Sequence, residues 1–181
     1  VDPVGAAAAV GFASFANGAQ AVALGTRARA EVTQSIAIGN DTRATGTGSV
    51  SIGGDDTGSG GYSSATFPVA GYTSGRTTYR ATYSAGEGST AIAPHAQALT
   101  KGSTAVGVGA TAGEGTMGTV TGSAAGIALY GWTPSATSIE ATSIGAMSVA
   151  AKAQTTAVGY KAQALANNAL VVGSSATAAG E

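Results

Sequence analysis

One histidine and no cysteine occur among the 181 residues, so the chemistry open to this chain is narrow. A multi-histidine zinc site within one chain is excluded, and a Ser-His-Asp triad is set aside with it. His95 follows Ala93-Pro94 in a turn and falls in an outward column, so three copies about an axis are not expected to share a metal. Asp55-Asp56 offers two adjacent carboxylates, but a calcium loop spaces its ligands, and turn formation explains the pair better. Gly107-x-Gly109-x-x-Ala112 mimics a dinucleotide fingerprint without the acidic residue that should follow about twenty positions on. No catalytic residue, metal or cofactor is expected, and the chain reads as no enzyme. What remains is a short basic rib, Arg27, Arg29 and Arg43. It is either a flank paired with Asp41 and Glu31 or a contact for an acidic glycan or matrix partner.

The elements that carry these residues are set by a repeat. A glycine follows a short apolar run at Gly11, Gly25, Gly39 and Gly53, each fourteen residues after the last. The phase returns at Ala93 and Gly107, and again at Gly145, Gly159 and Gly173. Just before this marker stand Val10, Leu24, Ile38, Ile52, Ile92, Val106, Ile144, Val158 and Val172, all aliphatic. One position further back the residues are nearly all small, and the next position back is mostly larger again. That alternation is the pattern of a short strand, and with no charge on either face both faces should be buried. Three and five positions after the marker the residues are small again, with alanine at thirteen of sixteen places. The positions between carry Arg27, Arg29, Asp41, Arg43, His95, Gln97, Lys161 and Gln163, which predicts a second strand with a tight inner face and a wet outer one.

Each unit is therefore one coil: a strand, a glycine corner, a second strand and a second turn. Stacked in parallel at about 4.8 Å, ten or eleven such coils make an all-β solenoid. Bulk to fill it is scarce. Leu, Ile, Val and Phe number 29, whereas Gly and Ala together number 70. The chain is not of the disordered type either, with 9% charged residues and a mean hydropathy of +0.20. An interior of Ala, Ser and Thr leaves room for only one aliphatic column, so the other should face water in a lone chain. Burying a Val or Ile is worth roughly 1.5–3 kcal/mol, and nine such residues predict an obligate oligomer.

The units Ala21-Val22-Ala23-Leu24-Gly25, Ser35-Ile36-Ala37-Ile38-Gly39 and Ser49-Val50-Ser51-Ile52-Gly53 resemble the head repeats of trimeric autotransporter adhesins. Those repeats have the form Ser-Val-Ala-Ile-Gly-x-x-Ala-x-Ala and the same period. The resemblance covers residues 7–53, 88–112 and 141–178. It implies a left-handed parallel β-roll, a homotrimer around one axis, and display on the surface of a Gram-negative bacterium. Anchoring to the outer membrane would come from a stalk and barrel outside this chain. Departures are Ala93-Pro94-His95 in the corner and Thr90, Thr104, Thr142 and Thr156 in place of valine. In a bacterial protein the sequon Asn40-Asp41-Thr42 carries little meaning.

Residues 1–181 read as one head domain, a piece of a longer protein, with insertions at about 54–87 and 113–140. The first holds Tyr62, Phe67, Tyr72, Tyr79 and Tyr83, and the second holds Tyr130 and Trp132. Tyr79 and Ile127-Ala128-Leu129-Tyr130 could each mark a degenerate coil. The insertions would clamp the trimer or contact a ligand, in which case Tyr62, Tyr72 and Trp132 join the arginines as contact residues. The expected function is a surface adhesin head for host matrix proteins or cell-surface receptors, with a structural spacer as the rival. A net charge of −1 argues against nucleic acid, and no apolar run of about 18 residues argues against membrane contact by this segment. A β-helical acyltransferase would show six-residue repeats. An ice-binding solenoid would need a regular outward threonine array, and only Thr111 and Thr177 are expected outside.

Overall fold

The computed structural model describes residues 5–54, 81–113 and 140–179, and the backbone alone of 115–117, 123–124, 127–128 and 132–134. Two parallel sheets of nine strands each run the length of the stack, one strand of each per coil. The first sheet is Ala8–Val10, Val22–Leu24, Ile36–Gly39, Val50–Gly53, Thr90–Ile92, Thr104–Val106, Thr142–Ile144, Thr156–Val158 and Leu170–Val172. The second is Phe15–Ala16, Arg29–Ala30, Arg43–Ala44, Tyr83–Ser84, Gln97–Ala98, Thr111–Ala112, Val149–Ala150, Gln163–Ala164 and Thr177–Ala178. Backbone bonds run coil to coil, as where Val22 N–H donates to the Ser35 carbonyl at 2.9 Å and Ile36 N–H to that of Ser49 at 2.8 Å. Among the described residues there is no helix.

The corners explain the period. Gly25 has φ of +128°, and a Cβ there would stand 2.5 Å from the Gly39 carbonyl oxygen in the next coil. Glycine is required both for that dihedral and for the close approach. Ala93 occupies the same slot at φ +99°. Two further columns are left-handed in coil after coil. Two positions past the marker lie Ala13, Arg27, Asp41, His95, Met147, Lys161 and Ser175, and five before the next marker lie Gln20, Gln34, Glu140, Gln154 and Asn168, all with φ between 52° and 61°. Such residues cost about 1–2 kcal/mol each relative to ordinary backbone, and the ladders on either side hold them.

The interior is lined by methyl groups. Ala23, Ala37, Ala91, Ala105 and Ala157 of the first sheet face Ala30, Ala44, Ala98, Ala112 and Ala164 of the second, all fully buried. Neither large column enters it. The residues one and three before the corner glycine lie on one side of the strand and both point outward, because a strand alternates faces. The burial patterns agree: partly exposed, buried, exposed for Val22–Leu24 and again for Thr90–Ile92. An aliphatic column was expected inside, and this corrects it.

Among the described residues there are nine coils, where ten or eleven were expected. Val50 pairs directly with Thr90, and Thr104 with Thr142, so no coil intervenes at either interruption. Tyr79, named as a possible degenerate coil, lies outside the described residues. Ile127–Ala128 pairs antiparallel with Ser123–Ala124, which removes the second degenerate coil. Around that pair, Gly115–Met117 runs antiparallel to Trp132–Pro134, so the second insertion contains a nested hairpin ladder.

Candidate functional site

Among the described residues, the outer side of the first sheet is an aliphatic strip left exposed to solvent. Leu24, Ile52, Ile92 and Ile144 are each about two-fifths exposed, and Val10 and Val172 at the two ends are 63% and 68% exposed. Ile38, Val106 and Val158 are half-buried in the same column. Register stacks them on neighbouring strands, Val10 beside Leu24 and Leu24 beside Ile38. The strip is continuous along the stack rather than a scatter of single surface residues.

The outer side of the second sheet differs. Its column runs Phe15, Arg29, Arg43, Tyr83, Gln97, Thr111, Val149, Gln163 and Thr177 in register. At the first end it is an ionic ladder. Arg29 Nε and Arg43 Nε both donate to Glu31 Oε1 at 2.8 Å, and Arg43 Nη2 donates to Oε2 at 3.1 Å. The Arg29 guanidinium lies 4.9 Å from the Phe15 ring centre, and that of Arg43 lies 5.6 Å from Tyr83. Burial pushes the Glu31 carboxyl up, yet the hydrogen bonds from Arg43 and Arg29 outweigh it and hold the group below its ordinary value. Burial likewise works against the Arg43 charge, and Glu31 more than restores it. Arg27 pairs with Asp41, Nε to Oδ1, at 3.3 Å. The three arginines of the rib are thus paired with the two carboxylates beside them.

In the middle coils the wet outer face does not exist. Tyr83, Gln97, Thr111 and Val149 are buried there, with Leu99, Thr100 and Met147 beside them, and His95 is only 5% exposed. The alternation of polar residues predicted water on this face, and period alone does not register what lies over a strand. Thr111, expected outside, is also inside this patch. The two insertions leave the stack at the coils bounding it. The first departs between Gly54 and Ala81, before Tyr83–Ser84, and the second between Gly113 and Glu140, after Thr111–Ala112. They leave from opposite corners of the coil, at the two ends of second-sheet strands.

The root of the first insertion is held by residues that the sequence did not single out. In its coil all four inward positions carry hydroxyls: Ser49, Ser51, Thr82 and Ser84, each fully buried. Thr82 Oγ1 accepts from Gly54 N–H at 3.1 Å and lies 2.9 Å from the carbonyl oxygens of both Gly54 and Ala93. Ser51 Oγ donates to the Thr82 carbonyl at 2.8 Å, and Ser84 Oγ to Ser49 Oγ at 3.2 Å. The visible signal was a hydroxyl at all four inward positions of one coil, including Ser84 in a column that otherwise holds only alanine. Tyr62, Tyr72 and Asp55-Asp56 lie outside the described residues. The Trp132 backbone stands opposite Met117 in the hairpin ladder.

Two sheets in fourteen-residue register, with glycine corners and an alanine interior, match a known repeat. The YadA head domain repeat model fits residues 6–28, 33–55, 136–162 and 152–176. The matched segments are YadA head domain repeats, the repeat of trimeric autotransporter adhesin heads. That family implies an adhesin-type surface protein and is not known for catalysis. YadA-type heads form trimers and bind host molecules, and the family implies a Gram-negative, outer-membrane-anchored adhesin. The middle coils at 81–113 fall outside the matched segments, yet their strands continue both sheets in register. No curated protein matches the chain. Among the described residues of this YadA-type head, no helix is long and apolar enough to cross a membrane.

Proposed function

We propose that this head assembles as a homotrimer through the outer side of its first sheet and binds host matrix proteins or cell-surface receptors without catalysis. Regions outside this chain anchor it to the outer membrane. The observation that carries the assembly is the unbroken aliphatic strip from Val10 to Val172 beside an interior of methyl groups. Ordering the backbone costs about 1–2 kcal/mol per residue, and alanine methyls offset little of it. Burying the strip against two further copies supplies the missing apolar contact. Shallow binding surfaces presented three times then act together through avidity.

The contact residues in this reading are Arg27, Arg29, Arg43, Tyr62, Tyr72 and Trp132. A spacer role is the second reading, and one observation favours it for the arginine face: Arg27, Arg29 and Arg43 are already paired with Asp41 and Glu31. Immobilised matrix proteins, titrated with the parent head and with a Tyr62→Ala/Tyr72→Ala/Trp132→Ala variant, separate the two. Adhesion through the insertions predicts at least a tenfold loss, about 1.4 kcal/mol per head. Equal binding by parent and variant removes those residues from the contact, and no binding by the parent leaves the spacer.

A further inference from the structure

The aliphatic strip has a neighbour column that changes character partway along. Three positions before the corner glycine stand Ala8, Val22, Ile36 and Val50, then Thr90, Thr104, Thr142 and Thr156, and last Leu170. The four threonines adjoin on consecutive strands, Thr90 beside Thr104, Thr104 beside Thr142 and Thr142 beside Thr156. Val50 and Thr90 are direct partners, so the change is abrupt. All four threonines are partly exposed, and among the described residues none of their hydroxyls meets a hydrogen-bond partner in the chain. Four adjoining threonines, one per coil, therefore line the outer side of the first sheet without forming a Thr-x-Thr array.

This bears on a problem that any stack of equal coils faces on assembly. A chain that slides along its neighbours by one coil, about 4.8 Å, matches Ile and Val with Ile and Val again. Aliphatic contact is non-directional and does not resist the slip. A hydroxyl carried into an apolar contact does, because it loses water and must find another partner. One polar residue in a coiled-coil core fixes register in the same manner.

We propose that the Val50–Thr90 boundary sets the axial register between copies of this chain. In register, threonines of one copy meet threonines of the next and share hydrogen bonds or water, while Val22, Ile36 and Val50 meet their equivalents. A slip of one coil sets two threonine levels against aliphatic ones, Thr90 against Val50 and Thr156 against Leu170. The inference rests on the assembly proposed above and names what aligns it.

The absence of cysteine makes the test clean. Chains carrying Leu24→Cys and chains carrying Ile38→Cys are unfolded together, refolded as a mixture and oxidised. A disulfide needs Cα atoms within about 7 Å, so linkage between like variants reports register and linkage between unlike variants reports a one-coil slip. With the four threonines present, like linkages should exceed unlike ones by about tenfold or more. Replacing Thr90, Thr104, Thr142 and Thr156 by valine should bring the two toward parity without loss of the oligomer, and replacing them by serine should keep the parent ratio. A valine variant that keeps the parent ratio overturns the proposal, as does the absence of either linkage in chains that are trimeric by mass. A monomeric parent would instead remove the assembly reading itself.

Discussion

On the first sheet the outward residues are Leu24, Ile52, Ile92 and Ile144, exposed and aliphatic; on the second they are Arg29 and Arg43, half-buried and tied to Glu31. Both rows hang from the same backbone, one coil apart at each step, and both surround the same alanine interior. The difference lies in how each side chain meets its needs within one chain. Glu31 satisfies two arginines at 2.8 Å, and Phe15 and Tyr83 lie against their guanidinium groups. Among the described residues nothing does as much for Ile52, since the interior behind it accepts only the methyl of a small residue. One face meets its needs in a single copy, and the other leaves its aliphatic side chains exposed there, as the proposed assembly requires.

Placing a charge on each face breaks this comparison most sharply. Ile38→Asp should cost the assembly about 3–5 kcal/mol for an uncompensated buried charge, a hundredfold or more in the association constant. Gln163→Asp, on the partly exposed outer column of the second sheet, should leave the mass in solution unchanged. Sedimentation of both variants decides the matter, and equal behaviour would mean that the faces do not differ as described.

Acid sharpens the account of the second face. Glu31 is held below its ordinary value of 4.5, so its pairing contributes fully above that pH and is lost as pH falls through the lower folded value. Thermal stability of the parent should therefore decline below about pH 4.5. Glu31→Gln should cost about 1–2 kcal/mol at neutral pH for a partly exposed charged network, and the gap to the parent should close in acid. A gap that stays constant between pH 7 and pH 3 would show that the ladder contributes nothing through its charge.

The smallest effect concerns the corners. Gln154 is exposed and left-handed at φ 54°. Gln154→Gly should stabilise by about 0.5–1 kcal/mol, the left-handed penalty less the added freedom of the unfolded chain. A loss of stability in denaturant titration would mean that its side chain holds the turn.

Much of this was legible in residue order. The fourteen-residue spacing of Gly11, Gly25, Gly39 and Gly53 gives the coil, because a corner without room for a Cβ admits little else. Alanine at positions 28, 30, 44, 96 and 98 gives the inner face for the same steric reason. The left-handed columns were harder to see. Among the described residues glycine marks them at Gly48, Gly88, Gly102 and Gly109, while Ala, Ser, Met, His and longer polar or charged residues fill the rest at a tolerated cost. Burial of Gln97 and Thr111 was not legible at all, since polar residues alternating with alanine read as a wet face. The Arg27–Asp41 and Arg29–Glu31–Arg43 pairs were foreseeable from spacing, whereas the closure of the first insertion by Thr82 depends on a contact across 28 residues.

The central claim is that one copy of this chain is incomplete. Sedimentation equilibrium of the purified head at micromolar concentration tests it most directly. The account predicts a single species of three times the 17.1 kDa chain mass, folded and persistent on dilution. A folded, cooperative species at the mass of one chain would contradict it.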